Sequence, residues 1–262
     1  MLDKIRKFIQ YPRLTQNSPK RPAALKYFPG NPIIDGRLCN LCGECAKRCP
    51  SKAITTDASG DHYLIDHGQC VFCMLCEEVC PLGAVTAAKN ILYAEKSRDK
   101  LIKSPLIVSG DEAESISWEG MQEKLNAKIA NIFGRSLNIR EVDSGSCNGC
   151  DYEINALNNP FIDVERFGIH FVASPRHADM LLVTGTAVRN MQEALLKTYN
   201  ATPDPKLVVA VGACACSGGI FRDTYATNNG IDSLIPVDVY IPGCPPRPQA
   251  IVYGILKAIE RI

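Results

Sequence analysis

The sequence predicts an α/β protein in two metal-bearing parts, a small α+β domain followed by a domain built on a parallel α/β sheet. Three observations predict it. Eight of the 13 cysteines lie between residues 39 and 80, five lie from residue 147 onward, and none falls between. One cysteine pattern occurs twice in the first group. After residue 137, short apolar runs alternate with helical patterns, which is how a parallel sheet covered by helices reads.

A chain of 262 residues with 46% hydrophobic content is long enough to bury a core in one large domain or two modest ones. Its 29 basic and 28 acidic residues give a formal charge of +1, which removes the electrostatic footprint of a nucleic-acid binder. Lys4, Arg6 and Lys7 interrupt the apolar residues at the start, so no secretory signal is expected. The apolar runs at 207–211 and 251–259 are far shorter than the roughly 20 residues that cross a bilayer, so a soluble or peripheral protein is expected. In a reducing cytoplasm, so many cysteines point to metal binding and not to disulfides.

Taken in order, residues 1–34 read as a lead-in that sets Leu2, Ile5, Phe8 and Ile9 against Lys4, Arg6 and Lys7. That pattern suits a lipid surface or a partner, and equally an ordinary solvated helix. Residues 35–90 form the first cysteine-bearing domain, and each cysteine run in it leads into a short apolar segment, 53–55 and 84–86. Residues 91–117 read as a linker, polar and turn-rich from 104 to 115. The second domain, 118–262, opens with a helix over 118–133, where Met121, Leu125, Ile129 and Ile132 recur at helical spacing. Strands follow at 137–142, 168–173, 180–184, 207–211 and 237–241. Helices are predicted at 151–157, 188–199 and 248–259, with Pro248 suited to a first turn.

In the first domain Cys39-Asn40-Leu41-Cys42-Gly43-Glu44-Cys45-Ala46-Lys47-Arg48-Cys49-Pro50 is matched by Cys70-Val71-Phe72-Cys73-Met74-Leu75-Cys76-Glu77-Glu78-Val79-Cys80-Pro81. A loop with cysteines three apart can set three thiolates on three corners of one iron-sulfur cube. In two-cluster ferredoxins the fourth cysteine of each run serves the other cube. Cys39, Cys42, Cys45 and Cys80 are therefore expected to hold one 4Fe-4S cluster, and Cys70, Cys73, Cys76 and Cys49 a second. Pro50 and Pro81 turn the chain away after the last ligand. Zinc is the alternative, but four-cysteine zinc sites are usually built from separated C-x2-4-C pairs. The stretch from about 35 to 86 resembles the bacterial-type 2x(4Fe-4S) ferredoxin domain.

In the second domain the cysteines are scattered, yet Cys147 and Cys150, Cys214, and Cys244 each follow a predicted strand. In an open parallel sheet such loops all emerge at the carboxyl edge, where ligands bind, so these four thiolates can converge on a third cluster. Glycines in the loops let backbone amides approach its negative charge. Eight ligands and four account for twelve of the 13 cysteines. Cys216 is left over as a small buried residue, although the spacing alone also allows it to exchange roles with Cys214.

The segments Ser146-Cys147-Asn148-Gly149-Cys150, Ser174-Pro175-Arg176-His177-Ala178-Asp179, Gly212-Ala213-Cys214, Ser217-Gly218-Gly219 and Pro242-Gly243-Cys244-Pro245-Pro246 resemble the small subunit of energy-converting, formate hydrogenlyase-type NiFe hydrogenases. That subunit is related to the 20 kDa-type subunit of respiratory complex I. The likeness runs from about 137 to 261 and implies a flavodoxin-like α/β domain with a proximal 4Fe-4S cluster on Cys147, Cys150, Cys214 and Cys244. The complex I branch has its first two ligands adjacent, whereas Asn148 and Gly149 intervene here, which favours the hydrogenase branch. The ferredoxin domain, usually a separate polypeptide in such complexes, is fused in front.

The resemblance implies an electron-transfer subunit of an oxidoreductase complex, with three 4Fe-4S clusters relaying electrons to or from a NiFe site in a partner large subunit. No nickel site is expected in this chain. The implied partners are the NiFe hydrogenase large subunit, membrane-arm subunits, and a formate dehydrogenase, ferredoxin or similar donor. The implied location is cytoplasmic, peripheral on the inner face of the cell membrane. Asp151 and Glu153 are candidates for a proton relay beside the large subunit, against the plainer reading that a helix dipole favours acidic residues in its first turn. His177 is expected to pack or hydrogen-bond and not to take part in redox chemistry. The rival readings are a complex I-like module that delivers electrons to a quinone, and a redox- or hydrogen-sensing relative.

Overall fold

The computed structural model describes residues 6, 29–88, 90–105 and 118–260. Leu2, Lys4, Ile5, Lys7, Phe8 and Ile9 of the amphipathic start lie outside them, as do residues 106–117.

The first lobe is made of β1 (Asn31–Ile34), α1 (Glu44–Arg48), β2 (Ile54–Thr56), β3 (Tyr63–Asp66), α2 (Leu75–Glu78), β4 (Val85–Ala88) and β5 (Ile102–Lys103). Strand β1 pairs antiparallel with β4, Asn31 opposite Ala88 and Ile34 opposite Val85. A second antiparallel sheet runs β2-β3-β5. The two helices are short because each wraps part of a cysteine run. They start after Gly43 and Met74, which are both left-handed at φ 81° and φ 59°, and they bury the third cysteine of each run, Cys45 and Cys76. Ile34, Ile54, Ile65 and Val85 pack with those two cysteines. The pairing extends this lobe into the lead-in through β1 and into the linker through β5, since β4 and β3 would otherwise leave backbone groups unpaired.

The second lobe contains α3 (Trp118–Phe133), β6 (Leu137–Asp143), α4 (Gly149–Asn155), β7 (Ile169–Phe171), β8 (Met180–Thr184), α5 (Arg189–Ala201), β9 (Leu207–Val211), α6 (Gly212–Ser217), β10 (Val239–Ile241) and α7 (Pro248–Ile259). The five strands form one parallel sheet in the order β10-β9-β8-β6-β7. Counted from β6, this is the flavodoxin-like order 2-1-3-4-5, whose switch point falls between its first and third strands. All residues of β8 and β9 are buried, so both read as continuous apolar runs. Leu182 and Val209 face the core under α3 and α7 with Leu125, Ile129, Ile251 and Ile255. Leu181, Val183 and Val208 face the other way, toward Leu195 of α5. Each fully buried Leu or Val contributes about 1.5–3 kcal/mol.

The segment between the lobes is part of both. Glu95 exchanges backbone hydrogen bonds with Tyr240 of β10 at 2.9 and 2.8 Å, and its carboxylate takes Lys103 and Lys257. Leu101, fully buried, joins the core on the α5 side of the sheet. The lobes therefore meet across shared packing.

Candidate metal centres

The first two centres rest on the wrapping loops. Leu41 and Phe72, the residues just before the second cysteine of each run, take left-handed φ values of 62° and 54°. Asn148, between Cys147 and Cys150, does the same at 64°. Non-glycine residues reach this region at a cost of about 1–2 kcal/mol, and such strain collects where a site fixes the backbone. The left-handed step tightens each loop around its sulfurs.

Cys39, Cys42, Cys45 and Cys80 line one cavity. Cys45 is pushed up by burial and then by the charges of Cys39, Cys80 and Cys42. The second set is gathered in the same way. Burial, followed by Cys49 and Cys73, pushes Cys76 up to about 12, and Cys70 rises through burial and the sulfurs of Cys76, Cys49 and Cys73. In the third set Cys150 rises through burial and then Cys214, Cys244 and Cys147. Cys214 is pushed up to about 12 by burial, Cys244 and Cys147.

Each set thus holds buried or half-buried thiols, Cys45, Cys70 and Cys76, and Cys150 and Cys214, that neighbouring sulfurs disfavour as thiolates unless positive charge lies among them. Iron bound there would supply that charge, and four soft sulfurs suit it. Backbone amides complete the cradle. The amide of Ala53 donates to Cys49 Sγ at 3.3 Å and that of Ala84 to Cys80 Sγ at 3.2 Å, at matching places in the repeat. Phe72 donates to Cys70 Sγ at 3.4 Å. Burial acts to raise Cys80, but amides of Val85, Leu82, Ala84 and Gly83 outweigh it and hold this thiol below its ordinary value. In the third set Gly212 sits at φ +89°, and a Cβ there would stand 2.5 Å from Cys150 Sγ. Among the described residues, no three His, Cys, Asp or Glu side chains converge as a single metal ion requires. The all-thiolate donor sets, with backbone amides aimed at their sulfurs, fit a 4Fe-4S cube.

The sets also act on one another. Cys76 of the second feels Cys45 of the first, and Cys244 of the third feels Cys73 of the second.

The third tetrad draws on the ends of three strands. Cys147 and Cys150 follow β6, Cys214 lies in α6 directly after β9, and Cys244 follows β10. Sequence reasoning takes the region of Cys214 for a glycine-rich loop. It folds instead as the one-and-a-half-turn helix α6, which turns Cys214 toward the other ligands and Cys216 away from them. Cys216 is 1% exposed, and its thiol points at the carbonyl oxygens of Ala210 and Ile241 at 3.8 and 3.7 Å.

Asp151 accepts hydrogen bonds from Ser146 Oγ at 2.5 Å and Thr184 Oγ1 at 2.7 Å. Glu153 accepts one from Arg247 Nη1 at 3.3 Å, which ties the Cys150 helix to the Cys244 loop. Both carboxylates hold ligand segments in place. Glu141, which sequence reasoning missed, is raised to about 7 by burial and then by a hydrogen bond to Asp151 and that neighbour's charge. With Asp151, Arg140 and Phe171 it lines a cavity of about 280 Å³. Its place in a strand gives no sequence signal. His177 lies in a short turn and is exposed, away from the tetrads.

Comparison with known proteins gives two family matches. Residues 147–258 match the family described as NADH ubiquinone oxidoreductase, 20 Kd subunit, and residues 38–84 match the 4Fe-4S dicluster domain. The probable membrane-bound hydrogenase subunit mbhJ of Pyrococcus furiosus is 50% identical over 140 residues, which cover 53% of this chain and 84% of that one. Formate hydrogenlyase subunit 7 of Escherichia coli is 49% identical over 135 residues, 52% of this chain and 53% of that one, so the match spans about half of that relative. An NADH-quinone oxidoreductase subunit of Citrifermentans bemidjiense is 52% identical over 113 residues, 43% of this chain and 66% of that one.

Proposed function

The chain belongs to the family of the NADH ubiquinone oxidoreductase 20 kDa subunit, joined to a 4Fe-4S dicluster domain, and from that premise we propose that it is a three-cluster electron relay of a membrane-associated NiFe hydrogenase. It is an iron-sulfur electron-transfer subunit of an oxidoreductase complex of the membrane-bound hydrogenase and complex I-like kind. Cys39, Cys42, Cys45 and Cys80 hold the first cluster, Cys70, Cys73, Cys76 and Cys49 the second, and Cys147, Cys150, Cys214 and Cys244 the third. When bound, such clusters supply one-electron exchange with little rearrangement. The protein's own residues hold them, screen them from water through the buried Cys45, Cys70, Cys76 and Cys150, and fix their order.

The packing that joins the two lobes, through Glu95 with Tyr240 and the buried Leu101, carries this reading, with Cys73 close enough to act on the thiol of Cys244. It makes the ferredoxin lobe and the sheet lobe one conductor and not two independent metal domains. Exposed apolar side chains stand at both ends of the line. Leu38, Leu41 and Leu82 flank the first tetrad, and Tyr152, Ile220 and Phe221 lie in the segments that carry the third. Exposed apolar patches of this kind mark partner surfaces. The proposed partners are an electron donor such as a ferredoxin or formate dehydrogenase at the first tetrad, and the NiFe large subunit at the third. Among the described residues no helix is long and apolar enough to cross a membrane, so attachment to the inner face of the cell membrane is proposed to run through membrane-arm subunits.

The match to the quinone-reductase subunit supports a second reading, delivery of electrons to a quinone. Glu141 beside Asp151 likewise supports a proton path near the third tetrad, secondary to the positioning contacts of Asp151 and Glu153. Native purification with metal analysis tests the main reading. It predicts about twelve irons per chain and nickel in a co-purifying subunit. Full iron without nickel favours the quinone reading, and about a third of that iron, or abundant zinc, overturns both.

A further inference from the structure

The relay reading leaves open what sets the gap between the second and third tetrads, and one side chain spans it. Arg98 lies in the short 3-10 turn Arg98–Leu101, directly before β5. Its Nη1 and Nη2 donate to the two carboxylate oxygens of Asp66 at 2.7 and 2.6 Å, and its Nε donates to the carbonyl oxygen of Cys216 at 2.9 Å. All three contacts are largely shielded, with the Arg98 and Asp66 side chains each 19% exposed. A planar guanidinium can satisfy a carboxylate with its fork and a carbonyl with its remaining N–H at once, which an ammonium cannot.

Each anchor is one short step from a cluster ligand. The Asp66 carbonyl accepts the amide of Cys70 at 2.9 Å, and the Asp66 carboxylate accepts the amide of Gln69 at 3.2 Å, so Asp66 closes the turn that presents Cys70. Cys216 sits in α6 with Cys214. A second tie runs alongside, since Ser217 Oγ, 1% exposed, donates to the Gly68 carbonyl at 2.9 Å. Gly68 also leaves room for the guanidinium, because a Cβ there would stand 2.8 Å from Arg98 Cζ.

We propose that Arg98 is a positioning residue that fixes the spacing of the second and third clusters, with Ser217 as its companion. The proposal rests on the three-cluster reading. The thirteenth cysteine thereby gains a place in the account, since its backbone carbonyl takes one end of the bolt while its thiol only packs. The Glu95–Tyr240 pairing and the buried Leu101 hold the lobes together elsewhere, so loosening the bolt shifts the gap without parting the lobes.

The test uses the full complex carrying R98K or S217A, and the double variant. After reduction, magnetic interaction between neighbouring clusters is read by electron paramagnetic resonance, alongside iron content. Full iron is expected in each variant. The splitting from the second and third clusters should weaken in R98K and further in the double variant, while that from the first and second stays as in the parent. Electron equilibration across the loosened gap should slow severalfold. Unchanged splitting in R98K with iron intact overturns the proposal, and so does loss of iron, which would make Arg98 a support for assembly and not for spacing. A parent protein without signals from the second or third cluster sinks the relay reading itself, a distinct result.

Discussion

The His67 ring is 2% exposed, with Nε2 donating to the Pro32 carbonyl at 2.8 Å and Nδ1 accepting the Tyr93 hydroxyl at 3.1 Å. Both nitrogens are occupied by a neutral tautomer, and burial lowers the ring to about 4. An unfolded histidine takes a proton near 6.5. Between those values the folded protein binds fewer protons than the unfolded chain. Stability from this site is therefore complete above about 6.5 and drains away as pH falls toward 4, by on the order of 3 kcal/mol. His67→Gln keeps a donor and an acceptor but cannot titrate. Denaturant unfolding at pH 7.5 and 5.5 should show the parent losing more stability than the variant on acidification, and parallel losses would refute the assignment. Nothing in the sequence marks His67 or Arg98, because their partners lie 26 to 118 residues away. The candidate ligand cysteines announce themselves by spacing. Which of Cys214 and Cys216 faces the tetrad depends on α6, a helix too short to carry a period.

Among the elements, β8, β9, α3 and α7 occupy the ranges their sequence patterns predict. Each is a continuous apolar run or a helix with a clear apolar stripe, so local pattern and tertiary burial agree. The pairing of β1 with β4 and of β5 with β3 is not legible, since two- to four-residue strands owe their existence to partners distant in the chain. The turn from β9 into α6 is where an element controls chemistry. Gly212 needs a left-handed backbone and leaves no space for a methyl beside Cys150 Sγ. Gly212→Ala should thus lose about four irons and the signal of the third cluster, while far-ultraviolet circular dichroism stays that of the parent. Full iron in this variant would show that the cradle has more slack than its geometry implies.

At the scale of the whole molecule, the flavodoxin-like strand order brings the loops after β6, β9 and β10 to one edge of the sheet, and the segment from Glu95 to Lys103 fastens the ferredoxin lobe beside it. The proposed relay runs first, second, third, through Cys45 with Cys76 and Cys73 with Cys244. Two domains were legible in the sequence. Their mutual placement was not, since it rests on polar contacts without periodicity. Iron anomalous diffraction from crystals of the native complex tests this arrangement most directly. It should give three separate groups of iron within this chain, with the group held by Cys70, Cys73, Cys76 and Cys49 between the other two; iron missing from any one tetrad, or that group at an end of the line, would contradict it.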